Sequence, residues 1–220
     1  MHQNNQKVKQ DECLICFQPL LKDVSILHMI TNIPICNQCI AQFEIIHWDI
    51  DFYHHPLHIL YNYNDFFKSL LFQYKGQYDY ALKDTFLCLF QDELKKKYKD
   101  HIIVVAPSSL EDNLKRGFAP IESIAKTIFN HVFVGLYKKE KYKQSDLRYE
   151  ERKMVMDKIG IRNGEVLKGK KVLIIDDVLT SGSTLLTCLS LVSMQNPKSI
   201  ELLVLSTKKK KEELVFEMEG

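Results

Sequence analysis

An α/β domain with a mostly parallel sheet flanked by helices, preceded by a small metal-stapled module, is the fold that this sequence predicts. Three observations carry it. The stretch from Lys171 to Leu205 reads as strand, helix, strand, a βαβ unit, and such a unit joins parallel strands. Residues 1–45 hold two CxxC pairs and too little apolar material for a core of their own, so that part needs a staple. With 220 residues, the chain has room for one full α/β domain and a small appended unit. The expected division is 1–45 for the small module and 46–220 for the larger domain.

Along the chain, residues 44–63 are rich in aromatics and histidines, and residues 66–99 repeat apolar side chains at helical spacing without a proline, which predicts one or two helices. His101 to Ala106 is a β-branched run ended by Pro107, a buried strand feeding a loop. A helix is expected from Pro120 to Phe129, with Pro at its first turn and Ile121, Ile124, Ala125 and Ile128 on one face. His131 to Tyr137 reads as a strand. Residues 138–168 are strongly charged and predict a mobile loop with some helix. Order returns at Lys171 to Asp177, an apolar strand closed by two acids. A helix from Ser183 to Met194 and a strand from Ile200 to Leu205 follow.

Bulk composition excludes several function classes. The chain is 45% hydrophobic and 26% charged with a formal net charge of +2, ordinary for a globular protein and without a global bias toward nucleic acid. Any nucleic-acid contact must come from local clusters such as Lys95 to Lys97 and Lys138 to Lys143. The run Lys208 to Lys211 reads as a solvated surface segment. The longest apolar runs fall far short of the ~20 residues that span a bilayer. Met1 to Asp11 is polar and has no apolar core of the secretory kind, so a cytoplasmic location is expected.

Cytosolic thiols stay reduced, so paired cysteines point first to metal. Cys13 and Cys16, and then Cys36 and Cys39, form two CxxC knuckles with 19 residues between them, the spacing of a four-thiolate zinc ribbon. Four sulfurs complete the tetrahedron that structural Zn2+ prefers and leave no open position for catalysis. An iron–sulfur cluster and disulfides are the alternatives. His28 lies between the pairs, outside a ligand set that four cysteines already fill. Cys88 and Cys188, alone in apolar stretches, are expected as buried core thiols.

The second constellation runs from Val172 to Thr184, reading VLIIDDVLTSGST. Four apolar residues form a buried strand, and Asp176 and Asp177 stand where it ends, the end at which ligands bind in open α/β sheets. Thr180, Ser181, Gly182, Ser183 and Thr184 then open a helix, where hydroxyls, backbone N–H groups and the helix dipole favour an anion. Carboxylates beside an anion cradle suit a molecule with adjacent hydroxyls and a phosphate. The plainer reading is an acidic pair before a helix cap. Neither a Walker loop nor a dinucleotide fingerprint is present.

These thirteen positions resemble the signature of the type I phosphoribosyltransferases. By position, the resemblance implies that Asp176 and Asp177 hold the ribose 2′- and 3′-hydroxyls as the catalytic pair, and that Thr180 to Thr184 hold the 5′-phosphate. With the cysteine knuckles in front, the chain resembles the ComF family of late competence proteins, on Tyr74-Lys75-Gly76, Val105-Ala106-Pro107 and Arg116-Gly117-Phe118 as well. Ala119 stands where that family usually has Asn, and Val-Ala-Pro-Ser replaces a VPxP-like loop. Lys75 and Arg116 are carried over as phosphate contacts. The resemblance implies binding of phosphoribosyl pyrophosphate or a related ribose phosphate. It also implies a role in importing transforming single-stranded DNA, with a competence helicase or translocase as partner. The alternative is an active transferase of unknown acceptor, with Mg2+ neutralising the departing pyrophosphate and residues 138–168 closing as a hood.

Overall fold

The computed structural model describes residues 11–20, 33–139 and 158–214. Among them a six-stranded sheet has the order β1-β2-β8-β7-β3-β4. Its strands are β1 (Ile45–Phe52), β2 (His55–Asn62), β3 (His101–Val105), β4 (Val132–Phe133), β7 (Lys171–Leu179) and β8 (Ser199–Thr207). Only β1 and β2 pair antiparallel, and the other pairs are parallel. β5 (Leu136–Lys138) and β6 (Ile159–Ile161) make a separate antiparallel ribbon.

β7 is central because its neighbours cover it on both edges and helices cover it on both faces. Val172 to Ile175 are fully buried, which is why this strand reads as a continuous apolar run and not as an alternation. On one face, Leu173, Ile175, Leu203 and Ile103 pack with α2 (Asp65–Gly76), α3 (Gln91–Lys97) and α5 (Pro120–Ala125). On the other, Val172, Ile174, Leu202 and Val104 pack with Leu185, Cys188, Leu189 and Val192 of α6 (Ser183–Ser193). Cys88 and Cys188 are buried core thiols, as expected, and burial pushes both up to about 12.

Several elements differ from the sequence reading. Residues 66–99 divide into α2, a 3₁₀ turn at Tyr80–Thr85 and α3. Asn64 caps α2 by accepting from the Phe67 N–H at 2.8 Å, and Tyr78 takes a left-handed φ of 65° that ends the helical path. α5 stops at Ala125, in turns that carry Ile128 and Phe129 into the core. The strand expected over 131–137 is two, because β4 pairs with β3 while β5 turns away to meet β6. The charged segment is ordered over its described parts, with β6 and a 3₁₀ turn at Gly164–Leu167. Residues 140–157 lie outside the described residues, and so do Lys141 and Lys143. β7 continues through both acids to Leu179, since pairing with β8 persists to Thr207.

The β1–β2 hairpin gave no local signal. Tight two-residue turns normally advertise themselves with Asn-Gly or Asp-Gly. Here Tyr53 and His54 take φ of 50° and 64° instead, and a bulge between Ile45 and Trp48 breaks the alternation of β1. Beneath β2, the buried His58 contacts Asp49, and its Nε2 lies 3.3 Å from Glu201 Oε2. His101 Nε2 lies 3.5 Å from the other Glu201 oxygen.

Candidate functional site

The N-terminal knuckles assemble as their spacing predicts. Cys13 N–H donates to Gln18 O at 2.8 Å and Leu14 N–H donates to Pro34 O at 2.9 Å, closing the first knuckle onto the second. α1 (Asn37–Ile40) starts directly after Cys36. One ligand atom from each of the four cysteines lies within 4.8 Å of the others, and Cys16 Sγ is 3.6 Å from Cys36 Sγ. A tetrahedral Zn–S length of about 2.3 Å would set sulfurs ~3.8 Å apart, so the group can hold a metal ion. Burial alone would raise Cys13, but the backbone N–H groups of Cys16, Cys36 and Ile15 bring it down to about 7, while burial pushes Cys39 up. His28 lies outside the described residues. Cys13, Ile35 and Phe43 belong to the same apolar cluster as Leu60, Tyr61 and Phe67, so the knuckles are seated on the core that covers one face of the six-stranded sheet.

At the carboxyl end of β7, the chain positions its two acids by its own backbone. Asp177 N–H donates to Asp176 Oδ1 at 2.9 Å, and Val178 N–H donates to Asp177 Oδ1 at 2.8 Å. Ser206 and Thr207 of β8 pin the same stretch by donating to Asp177 O and Leu179 O at 3.4 and 3.1 Å. The loop then turns at Gly182, whose φ of 73° favours glycine. A Cβ there would stand 3.2 Å from the Phe52 ring at the end of β1. The Ser181 and Ser183 hydroxyls lie 2.9 Å apart at the start of α6. A cleft of about 200 Å³ beside them is lined by Thr180 to Ser183, Phe52, Tyr53 and Lys209.

Lys75 reaches this site from the last turn of α2 and ion-pairs with Asp177, with side chains 29% and 17% exposed. Burial holds Lys75 down to about 8, against the pull of Asp176. Burial pushes Asp176 up to about 6, and Lys75 and Lys138 act against that rise. Arg116 stands at the end of α4 (Leu110–Arg116), one step back from the acids. Its Nε–H donates to Lys75 O at 2.9 Å and its Nη1 to Asn113 Oδ1 at 3.3 Å. It therefore fixes the helix end that carries Lys75.

Beyond the end of β3 lies a cavity of about 820 Å³. Pro107, Ser108 and Asn113 form one wall, Leu136 to Lys139 and Arg162 another. Lys138 thus borders both this space and the field of Asp176. Residues 92–217 match the family model for the phosphoribosyl transferase domain. The chain belongs to that family. It is 31% identical over 126 residues to the competence protein ComFC of Streptococcus pneumoniae, covering 57% of this chain and 56% of that protein. It is 28% identical over 128 residues to ComFC of Bacillus subtilis, covering 57% and 53%. The chain thus spans about half the length of the curated relatives it matches. Adenine phosphoribosyltransferase from Saccharomyces cerevisiae aligns at 17% identity and a TM-score of 0.38, over 58% of this chain and 69% of that one.

In this phosphoribosyl transferase domain, the sequence-derived residues fall into one neighbourhood. Asp176, Asp177, Thr180 to Thr184 and Lys75 lie at one end of the sheet, with Arg116 one contact behind. Sequence reasoning missed Lys138 and Lys209 as bordering groups, since it read Lys138 only as part of a basic cluster and Lys208 to Lys211 as solvated surface. Lys138 had one available signal, its place at the end of a strand. Among the described residues, no helix is long and apolar enough to cross a membrane.

Proposed function

We propose that this domain binds a phosphorylated ribose, phosphoribosyl pyrophosphate or a close relative, at the carboxyl end of β7. Asp176 and Asp177 would take the ribose hydroxyls, and Thr180 to Thr184 the 5′-phosphate, with Lys75 close to the charged groups. The observation that carries this reading is the meeting of two carboxylates with an anion-favouring loop and helix start, beside a cavity of about 820 Å³. Isothermal titration with phosphoribosyl pyrophosphate tests it. The wild-type chain binds, and the double variant Asp176→Asn/Asp177→Asn does not. Unchanged affinity in that variant refutes the assignment.

The similarity to ComFC supports a cytoplasmic competence role, in which the ligand site serves import of transforming single-stranded DNA alongside a helicase or translocase. The four cysteines hold a structural Zn2+ in this reading, and residues 1–45 and 46–220 act as ribbon and transferase-like domain. Lysines outside the ribose site, such as Lys139, would meet DNA phosphates without reading bases.

One observation favours a second reading, an active transferase. The large cavity lies beyond the end of β3, the strand paired with β7, and has room for an acceptor. Incubation with labelled phosphoribosyl pyrophosphate and a panel of bases, nucleic acids and water separates the two. Pyrophosphate release with one acceptor selects the enzyme, and binding without release selects the coupling role.

A further inference from the structure

Toward the amino ends of β3 and β8, a polar cluster lies between the sheet and α3, away from the acids of β7. His58 of β2 and His101 of β3 are both buried there. Glu201 of β8 reaches each of them, with Oε2 3.3 Å from His58 Nε2 and Oε1 3.5 Å from His101 Nε2. From above, Tyr98 OH donates to Glu201 Oε2 at 3.3 Å, and Lys97 Nζ lies 2.8 Å from His58 Nε2 and 3.3 Å from Nδ1. Asp49 of β1 contacts His58 Nδ1 from the side.

The two partners of His58 Nε2 require opposite states of that atom. An ammonium group only donates, so Lys97 needs an unprotonated Nε2, whereas a carboxylate only accepts, so Glu201 needs Nε2–H. The Asp49 carboxylate keeps a proton on Nδ1 in both cases. Neutral His58 therefore suits Lys97, and the imidazolium suits Glu201 and repels Lys97.

The neighbouring groups leave this exchange to His58. Burial raises Tyr98, and the Glu201, Asp49 and Glu93 carboxylates act in the same sense, so its hydroxyl stays a donor. Burial holds His101 below 6.5, with Lys171 of β7 acting in the same sense against Glu201 and Asp100. His58 alone of the two buried imidazoles has a carboxylate at each ring nitrogen. One turn before Lys97, Glu93 lies 3.2 Å from His47 Nε2, a contact that gains strength when His47 is charged. Acid thus holds α3 by its Glu93 end and loosens its Lys97 end.

We propose that His58 is a proton-operated latch: a proton taken from solvent moves its Nε2 from Lys97 to Glu201 and frees the last turn of α3, where Lys97 joins the exposed Lys95 and Lys96 as a contact for phosphate-bearing polyanions. This inference stands apart from the ribose-phosphate reading, since none of its residues belongs to that site.

Nitrogen-15 NMR of the imidazoles in the full chain, with His58 assigned through His58→Gln, tests the exchange between about pH 8 and pH 5. At the upper end His58 should be the neutral Nδ1–H tautomer that Lys97 requires. Lys97→Met, at an exposed position, should raise the protonation constant of His58 about 3- to 10-fold, the effect of removing one water-screened charge. Glu201→Gln should lower it to a similar extent, and Lys97→Met carries the test if that variant fails to fold. Affinity for inorganic polyphosphate should rise on acidification about two- to fivefold more in the wild type than in Lys97→Met, the gain from one added surface contact. An Nε2–H tautomer in neutral His58 overturns the proposal, because Lys97 would then have no lone pair to meet. An unchanged protonation constant in Lys97→Met overturns it as well, and so does an equal acid-side gain in polyphosphate affinity in the two proteins.

Discussion

Asp176→Asn isolates the electrostatic state of the empty site. The substitution keeps Oδ1, and with it the bond from Asp177 N–H, while it removes the charge. Burial lifts the Asp176 carboxyl from 3.8 to about 6, a rise that destabilises the ionised form by ~3 kcal/mol at about 1.4 kcal/mol per unit. Asp176 retains some surface exposure, and solvent screening lowers the expected gain to ~1 to 3 kcal/mol. The sign follows from linkage. A carboxyl whose folded pKa is raised binds more protons in the folded state, so its contribution is favourable at low pH and is lost as pH rises through about 6. The variant should therefore melt higher than the wild type above that pH, by ~2 to 12 °C at about 2 to 4 °C per kcal/mol. The two curves should converge as pH falls toward 3.8. Differential scanning calorimetry across this range measures it, with ribose-phosphate titration on the same samples. A variant that melts lower than wild type at neutral pH would refute the reasoning, because Asp176 would then be a structural acceptor whose loss outweighs its burial.

Gly182→Ala forces an L residue into a φ of 73° and sets its Cβ 3.2 Å from the Phe52 ring. It should cost ~1 to 2 kcal/mol in urea unfolding and weaken ribose-phosphate binding. Purified protein should contain about one zinc per chain by atomic absorption, and Cys36→Ser should lose it. Because Ile35 and Phe43 share a core with Leu173 and Leu203 of the central strands, the same variant should also lower the main melting transition. His101 is buried with neither ring nitrogen hydrogen-bonded, and burial holds it below 6.5 despite the attraction of Glu201 and Asp100, with Lys171 acting in the same sense as burial. Its stabilising neutral form is favoured above 6.5 and opposed as pH falls below that value, so His101→Phe should flatten the acid-side fall in melting temperature. Neutralising Lys139, Lys141 and Lys143 together should reduce the log–log salt slope of single-stranded DNA binding by ~2, at about 0.7 per phosphate contact; an unchanged slope places the contact elsewhere.

The sequence by itself determined the parts whose chemistry is local. Val172 to Ile175 had to be a central strand because four adjacent apolar residues need cover on both faces, and the acids and small loop had to follow at its carboxyl end. The two CxxC pairs likewise announced a four-sulfur cluster through spacing alone. Elements defined by distant partners were illegible. The β1–β2 hairpin turns on Tyr53 and His54, residues that carry no turn signal, and its inner edge is completed by β8. β5 and β6 exist as strands only because they meet each other across a charged segment. Only the tertiary structure decided that Lys75 reaches Asp177, that Arg116 supports Lys75 and not the two acids, and that Lys138 lines the cavity beyond β3. Pairing, and the desolvation that shifts Lys75 and Asp176, are properties of residues about a hundred positions apart in sequence, created when packing brings them together and excludes water.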